Sequence, residues 1–129
     1  MPEDAPHPSG ELSLRTVAMP ADTNPAGDIF GGWIMSLMDL AAGVTAGTRA
    51  RGRVATAAVS NLSFLRPVKV GDVVCVYTGI KRIGRSSITL DVEAWILRRG
   101  QGDRVRVTAA EFVLVAVDDA GKPRDVPPA

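Results

Sequence analysis

The stretch IFGGWIMSLMDLAAGVTAGT, residues 29–48, holds one charged side chain, Asp39, in a run that is otherwise apolar or small. Its length suits a membrane span of about 20 residues. Against a span stand the central aspartate, which costs about 2.5–3.5 kcal/mol on insertion scales, and the glycine, serine and threonine content. The run is also too long for an ordinary strand. A helix apolar on all sides is one enclosed by the rest of its protein, so residues 29–48 read as a buried central helix.

Outward from this helix the hydrophobic period changes to two. In residues 54–65, Val54, Ala58, Leu62 and Phe64 are expected on one face. Residues 87–97 alternate more cleanly, with Ile88, Leu90, Val92, Ala94 and Ile96 set against Thr89, Asp91, Glu93, Trp95 and Leu97. Residues 72–83, rich in valine and containing Tyr77, and residues 104–117 are further β-like runs. Strict alternation means one buried face and one wet face, as in an antiparallel sheet. Turn material lies between and after the runs at 66–71 (RPVKVG), 84–85 (GR), 99–102 (RGQG) and 118–122 (DDAGK). The internal connections are too short for a parallel crossover, which needs about a dozen residues. On the other side of the helix, residues 20–27 (PADTNPAG) form a loop dense in turn formers, and residues 11–18 form a short strand. A flat sheet cannot enclose a helix. The sheet must curl around it, leaving its outer face and edges to be covered by another subunit. An α+β architecture of this kind, a curved antiparallel β-sheet wrapped around one long central helix, is the hotdog fold.

Composition narrows the classes of function. At 129 residues the chain fits one domain, and a core of this size gains from assembly. Fifteen basic and fourteen acidic side chains leave a net charge of +1, which supplies no field to steer a nucleic acid or an anionic membrane. Neither is expected as a partner. The single cysteine, Cys75, precludes an internal disulfide and suits a reducing, cytoplasmic compartment. One histidine and one cysteine cannot supply an ordinary zinc site, so no metal is expected. Residues 1–10 are Pro-rich and acidic, lack the apolar run of a secretory signal, and read as a disordered lead-in. Residues 11–122 form the single domain, and residues 123–129 a flexible tail.

The chemistry must come from carboxylate, amide and backbone groups. There is no G-x-S-x-G elbow, no phosphate-binding G-x-x-x-x-G-K-[ST] loop, and the sole histidine, His7, lies in the lead-in, away from any triad. Asp39 is the candidate. Inside an apolar helix its pKa is expected to rise above the reference of about 3.9, and a desolvated carboxylate is a better base or nucleophile. The alternative is a minor polar stripe near Ser36 and Gly43, facing solvent or pairing with an arginine. Glycines in 27–32 (GDIFGG) allow close backbone approach to a ligand, and the amides at that helix end favour a developing negative charge. The alternative there is a plain turn capped by Asp28. Arg82, Arg85, Ser86 and Ser87 gather at a tight connection that suits a phosphate, or they form an ordinary solvated rim.

Taken together, residues 18–42 (AMPADTNPAGDIFGGWIMSLMDLAA), 53–67 (RVATAAVSNLSFLRP), 70–87 (VGDVVCVYTGIKRIGRSS) and 108–121 (TAAEFVLVAVDDAG) closely resemble the acyl-CoA thioesterases of the YciA type. The resemblance runs over about residues 12 to 125, in the family's order, with N-x-x-G-D-x-F-G-G-W and the helical Met-Asp as its most specific parts. It implies hydrolysis of an acyl-CoA thioester without metal or other cofactor, coenzyme A being part of substrate and product. It makes Asp39 the catalytic carboxylate, has Asn24 position the reacting groups, and has Gly31 and Gly32 polarise the carbonyl. It places coenzyme A at the turn Gly84, Arg85, Ser86 and Ser87, beside Arg82, with Thr56 a polar position facing the partner's site. It also implies active sites at a dimer interface and dimers assembled into a hexamer, a trimer of dimers. Two positions depart from the pattern: Ser60 stands where relatives usually carry an acid, and Pro25 stiffens the loop that presents Asn24. The acyl-chain preference depends on how side chains such as Trp33, Leu37 and Phe64 pack across subunits. The rival functions are a non-catalytic acyl-CoA-binding module, a hydratase, which would call for a core histidine, and a purely structural oligomer.

Overall fold

The computed structural model describes residues 7–98 and 102–129. Strand β1 (Glu11–Val17) leads through a 3-10 turn at Pro20–Asp22 to helix α1 (Gly31–Ala50), and four long strands follow: β2 (Val54–Phe64), β3 (Val73–Ile83), β4 (Ser87–Leu97) and β5 (Arg104–Ala116). They form one antiparallel sheet in the order β1-β3-β4-β5-β2, and α1 packs against all five strands. The expected hotdog architecture is present, with the sequence-predicted elements in place to within a few residues. Of the turn expected at 99–102, residues 99–101 lie outside the described residues.

Period and packing agree in the core. Ile88, Leu90, Val92, Ala94 and Ile96 of β4 are buried against the helix, together with Val74 and Val76 of β3 and Phe112 and Leu114 of β5. The helix answers with Ile34, Met38, Ala41, Ala42, Ala46 and Ala50, mostly small residues that let its backbone lie close to the sheet. It closes at Arg51, in the left-handed region at φ 55°, with Gly52 donating back to the Gly47 carbonyl at 3.2 Å.

The expectation that the chain encloses its helix does not hold. Gly32, Ser36, Asp39, Leu40, Val44 and Thr48 face outward, on one stripe by helical spacing, and Leu40 and Val44 are 57% and 55% exposed. Five strands curl around only one side of the helix. β2, at the sheet edge, is exposed along almost its whole length and carries no charged residue, whereas the opposite edge, β1, bears Glu11 and Arg15.

Two further corrections concern the strand faces. Val54 and Ala58 do not share a side, because a register shift falls between Thr56 and Ala58. A second shift lies between Ser60 and Ser63, where Asn61 adopts a left-handed φ of 55°. The outer face of the sheet is not simply wet. Glu93 and Arg106, each 5% exposed, form an ion pair there at 3.2 Å, Trp95 Nε1 donates to Glu93 at 3.0 Å, and Cys75 and Tyr77 are buried beside them.

The segments expected to be loose are partly tied down. Within the lead-in, the Ser9 amide donates to Glu93 at 3.2 Å, and residues 1–6 lie outside the described residues. The tail of residues 123–129 is held rather than free. Val126 donates to the Arg85 carbonyl, Arg124 to the Ala50 carbonyl and Arg49 to the Pro127 carbonyl, and the Val126 side chain packs on the core. Buried backbone groups need partners, and the tail supplies them to the end of α1. Among the described residues no helix is long and apolar enough to cross a membrane.

Candidate active site

The residues singled out from the sequence fall into two groups at opposite ends of β2. At the first end Asp39 stands on the open stripe of α1, and Thr56 Oγ1 donates to its Oδ1 at 2.5 Å. Thr56 lies opposite Leu114, and Leu114 opposite Ile88, so the row across the sheet leads toward the β3–β4 turn of Gly84, Arg85, Ser86 and Ser87, about 10 Å away at two strand spacings. In this turn Gly84 donates to the Ser87 carbonyl at 2.8 Å, and a Cβ at Gly84 would meet Ser87 Oγ at 2.5 Å, so a larger residue would have to turn that hydroxyl aside. Arg82 reaches Thr89 at 3.5 Å, and the Arg85 guanidinium, exposed, is paired with Asp125 of the tail at 3.1 Å.

Asp39 is exposed in its own chain. The burial expected for it is not supplied by the single chain, because the sheet covers only the opposite stripe of the helix. Ser60 lies across from Glu111 on the outer face, on the other side of β2 from Thr56, so the missing acid at that position does not face Asp39.

At the second end are Asn24 and the helix start. Asn24 Oδ1 accepts from the Ala26 and Asp28 amides at 3.0 and 3.2 Å, an Asx turn that fixes the loop around Pro25. Asp28 does not cap the helix; it pairs with Lys69, and Phe30, in extended conformation, is the N-cap. Among the described residues no side chain caps the helix, which leaves the Gly31 and Gly32 amides as first-turn donors at the positive end of the helix dipole. A Cβ on Gly31 would come within 2.9 Å of the Phe64 ring, and one on Gly32 within 3.3 Å of the Phe30 ring. Both glycines thus sit against partly exposed phenyl rings. Sequence reading did not assign Phe30 to the site, although the F-G-G-W run juxtaposes it with the glycines.

The second end is also firmly framed. Asp72, 2% exposed, accepts from Arg98 Nε and Nη2, both at 2.9 Å, and from the Lys69 amide at 2.8 Å. Burial pushes its carboxyl up, but the Arg98 fork and the Lys69 amide more than offset that and leave it below the usual carboxylate range. Along α1, Gly31 and Asp39 are about 12 Å apart, so one chain does not bring the carboxylate onto its own glycine amides.

The geometry can be set beside known proteins. The model of the thioesterase superfamily matches residues 26–103. The acyl-CoA thioester hydrolase YciA of Salmonella typhimurium is 51% identical over 123 residues, covering 93% of this chain and 92% of that protein. The chain belongs to this family. Among solved structures, a hexameric thioesterase from Yersinia pestis is 54% identical with a TM-score of 0.91, covering 95% of this chain and 100% of that one. A hexameric broad-specificity acyl-coenzyme A thioesterase is 49% identical with a TM-score of 0.88, covering 95% of this chain and 84% of that one.

Proposed function

We propose that the chain hydrolyses acyl-CoA thioesters to a free acid and coenzyme A in the cytoplasm, with Asp39 as general base on a water or as nucleophile on the carbonyl. One observation carries this function: a carboxylate oriented by Thr56, on the helix whose first amides are open, in a chain half identical to named acyl-CoA thioester hydrolases. As base, Asp39 takes a proton from water while the hydroxide oxygen bonds to the carbonyl carbon. The charge on the carbonyl oxygen is received by the Gly31 and Gly32 amides, where a single such donor is worth about 10²–10³ in rate. Collapse of the tetrahedral species breaks the C–S bond and releases the coenzyme A thiolate, a good leaving group that needs no strong acid. No metal or further cofactor takes part in this route. Arg82 and the turn Gly84 to Ser87 bind the coenzyme A phosphates.

The active unit in this proposal is a dimer. β2 is a long, uncharged, bare edge, which is a template for pairing with another strand. A twofold contact is self-complementary, so antiparallel pairing of β2 with its copy sets the Thr56 end of one chain beside the Phe64 end of the other. Asp39 of one chain then meets Asn24, Gly31 and Gly32 of its partner, and Leu40 and Val44 are covered in the same step. Three such dimers form the hexamer.

The test is free-thiol release from acetyl-, hydroxybutyryl- and palmitoyl-CoA, with the oligomer mass measured in solution. Asp39→Asn is expected to lower kcat by about 10²–10⁴, the range of a general base, and a chelator to leave turnover unchanged. Full turnover in a folded Asp39→Asn protein would sink the assignment, and acyl-CoA binding without thiol release would favour the non-catalytic binding module.

A further inference from the structure

We propose that Phe64 is the specificity-determining wall of an acyl subsite, and that the cleft it lines receives a short to medium aliphatic acyl chain; this rests on the thioesterase function above. A thioester carbonyl whose oxygen accepts from the glycine amides has two remaining substituents. The sulfur leads toward coenzyme A, so the acyl carbon must enter whatever space adjoins the amides on the other side. A cleft of about 400 Å³ adjoins them, lined by Gly31 itself and by Ile29, Ile34, Phe64, Leu65 and Val68 among others. Its lining is mixed: Asn24, Asp28, Arg66 and Thr108 are polar, while Ile29, Ile34, Phe64, Leu65, Pro67 and Val68 supply the apolar surface that suits a hydrocarbon chain. Phe64 stands at the junction. Its ring lies so close to Gly31 that an added Cβ would come within 2.9 Å of Cζ, yet the side chain is 52% exposed. A large apolar ring left half bare beside Gly31 is placed to touch the chain of a bound acyl group beyond its first carbons.

The strand is built to aim this ring. Between Ser60 and Ser63 the register of β2 shifts, with Asn61 at a left-handed φ of 55°, and such bulges redirect the side chains that follow. Phe64 then pairs with Thr108 on the helix side of the sheet, while Leu65 donates to Val107 at 2.7 Å and fixes the strand end.

The experiment measures kcat/KM for acetyl-, butyryl-, hexanoyl-, octanoyl- and palmitoyl-CoA with the wild type, Phe64→Ala, Phe64→Leu and Phe64→Trp. Phe64→Ala should lower kcat/KM for hexanoyl- and octanoyl-CoA about tenfold, mainly through KM, while acetyl-CoA changes by less than about twofold, in line with the value of apolar pocket contacts. Phe64→Leu should fall between, and its melting curve serves as the folding control. Phe64→Trp should shift the preference toward shorter chains. The same factor at every chain length, or no change, overturns the subsite while leaving the thioesterase function standing. A wild type that releases thiol from none of these substrates overturns that function instead.

Discussion

The two ends of β2 are built differently. At the Phe64 end, the Asn24 loop is closed by its own Asx turn, Asp28 is paired with Lys69, and Asp72 is gripped by Arg98 and the Lys69 amide. At the Thr56 end, Asp39 has one hydroxyl partner and bare Leu40 and Val44 for neighbours. In the proposed dimer a chain that finishes one half of the site and leaves the other open divides its labour: the amides are preorganised by folding, and the carboxylate is completed by assembly. Preorganised donors cost no reorganisation during reaction, so rigidity belongs on the amide side. On the proposed function the acid gains its low-dielectric surroundings when a second copy covers the open stripe.

That division can be broken most severely by separating the halves. Asp39→Asn and Asn24→Ala should each lose most activity, about 10²–10⁴-fold for the acid. Unfolded together and refolded, the two variants should regain about a quarter of wild-type turnover, because half of randomly mixed twofold dimers carry one intact site. Mixed oligomers seen by native mass spectrometry but without recovered activity would place both groups in one chain's site. A smaller effect is expected from Gly31→Ala, whose methyl group must displace the Phe64 ring or the amide. A loss in kcat of about 10² corresponds to one misplaced oxyanion donor, and a loss confined to KM would assign the glycine to packing alone. Smaller again is Thr56→Val, which keeps the shape and removes the hydroxyl donor. Hydrogen bonds to charged groups are worth about 1.5–3 kcal/mol, and water can take this one over at an exposed site, so kcat should fall only about tenfold. An unchanged kcat would detach Thr56 from the chemistry.

The contrast also explains what could be read from the chain. The helix, the order of the strands and the cleanly alternating β4 were legible because burial imposes a period, and Ile88 to Ile96 obey it without interruption. Ala58 was misplaced because a bulge advances the face by one residue, and nothing in V-A-T-A-A-V announces where it falls. Asp39 and the glycine pair stood out as candidates, since an acid in an apolar run and glycines at a helix start are each anomalous for packing, whereas Asn24 came forward only through the family resemblance. The environment of Asp39 was not, because a fully apolar helix is compatible with enclosure by its own chain or by a partner. The ordered tail was invisible for a related reason: its contacts are mainly hydrogen bonds to carbonyls, which leave no hydrophobic signature at Pro123, Arg124 or Asp125.

The framed end yields the smallest expected effect on catalysis and a distinct one on stability. Arg98→Ala removes the bidentate donor from Asp72, which stays buried. The folded-state value of Asp72 lies below its unfolded one, so its stabilisation is fully present above the unfolded pKa of about 3.9 and is lost as pH falls through the folded value. At neutral pH the substitution should cost about 1–3 kcal/mol, the penalty for a buried group deprived of its partner, and lower Tm by several degrees. The gap between variant and wild type should narrow as the pH falls through the folded value of Asp72, where the carboxyl is neutral in both folded proteins. Turnover below the melting range should stay within about twofold, since a frame that remains folded still presents its amides as preorganised donors. A large fall in kcat without a fall in Tm would mean that Arg98 acts on the site directly, and the separation between a self-supporting half and an assembled half would have to be redrawn.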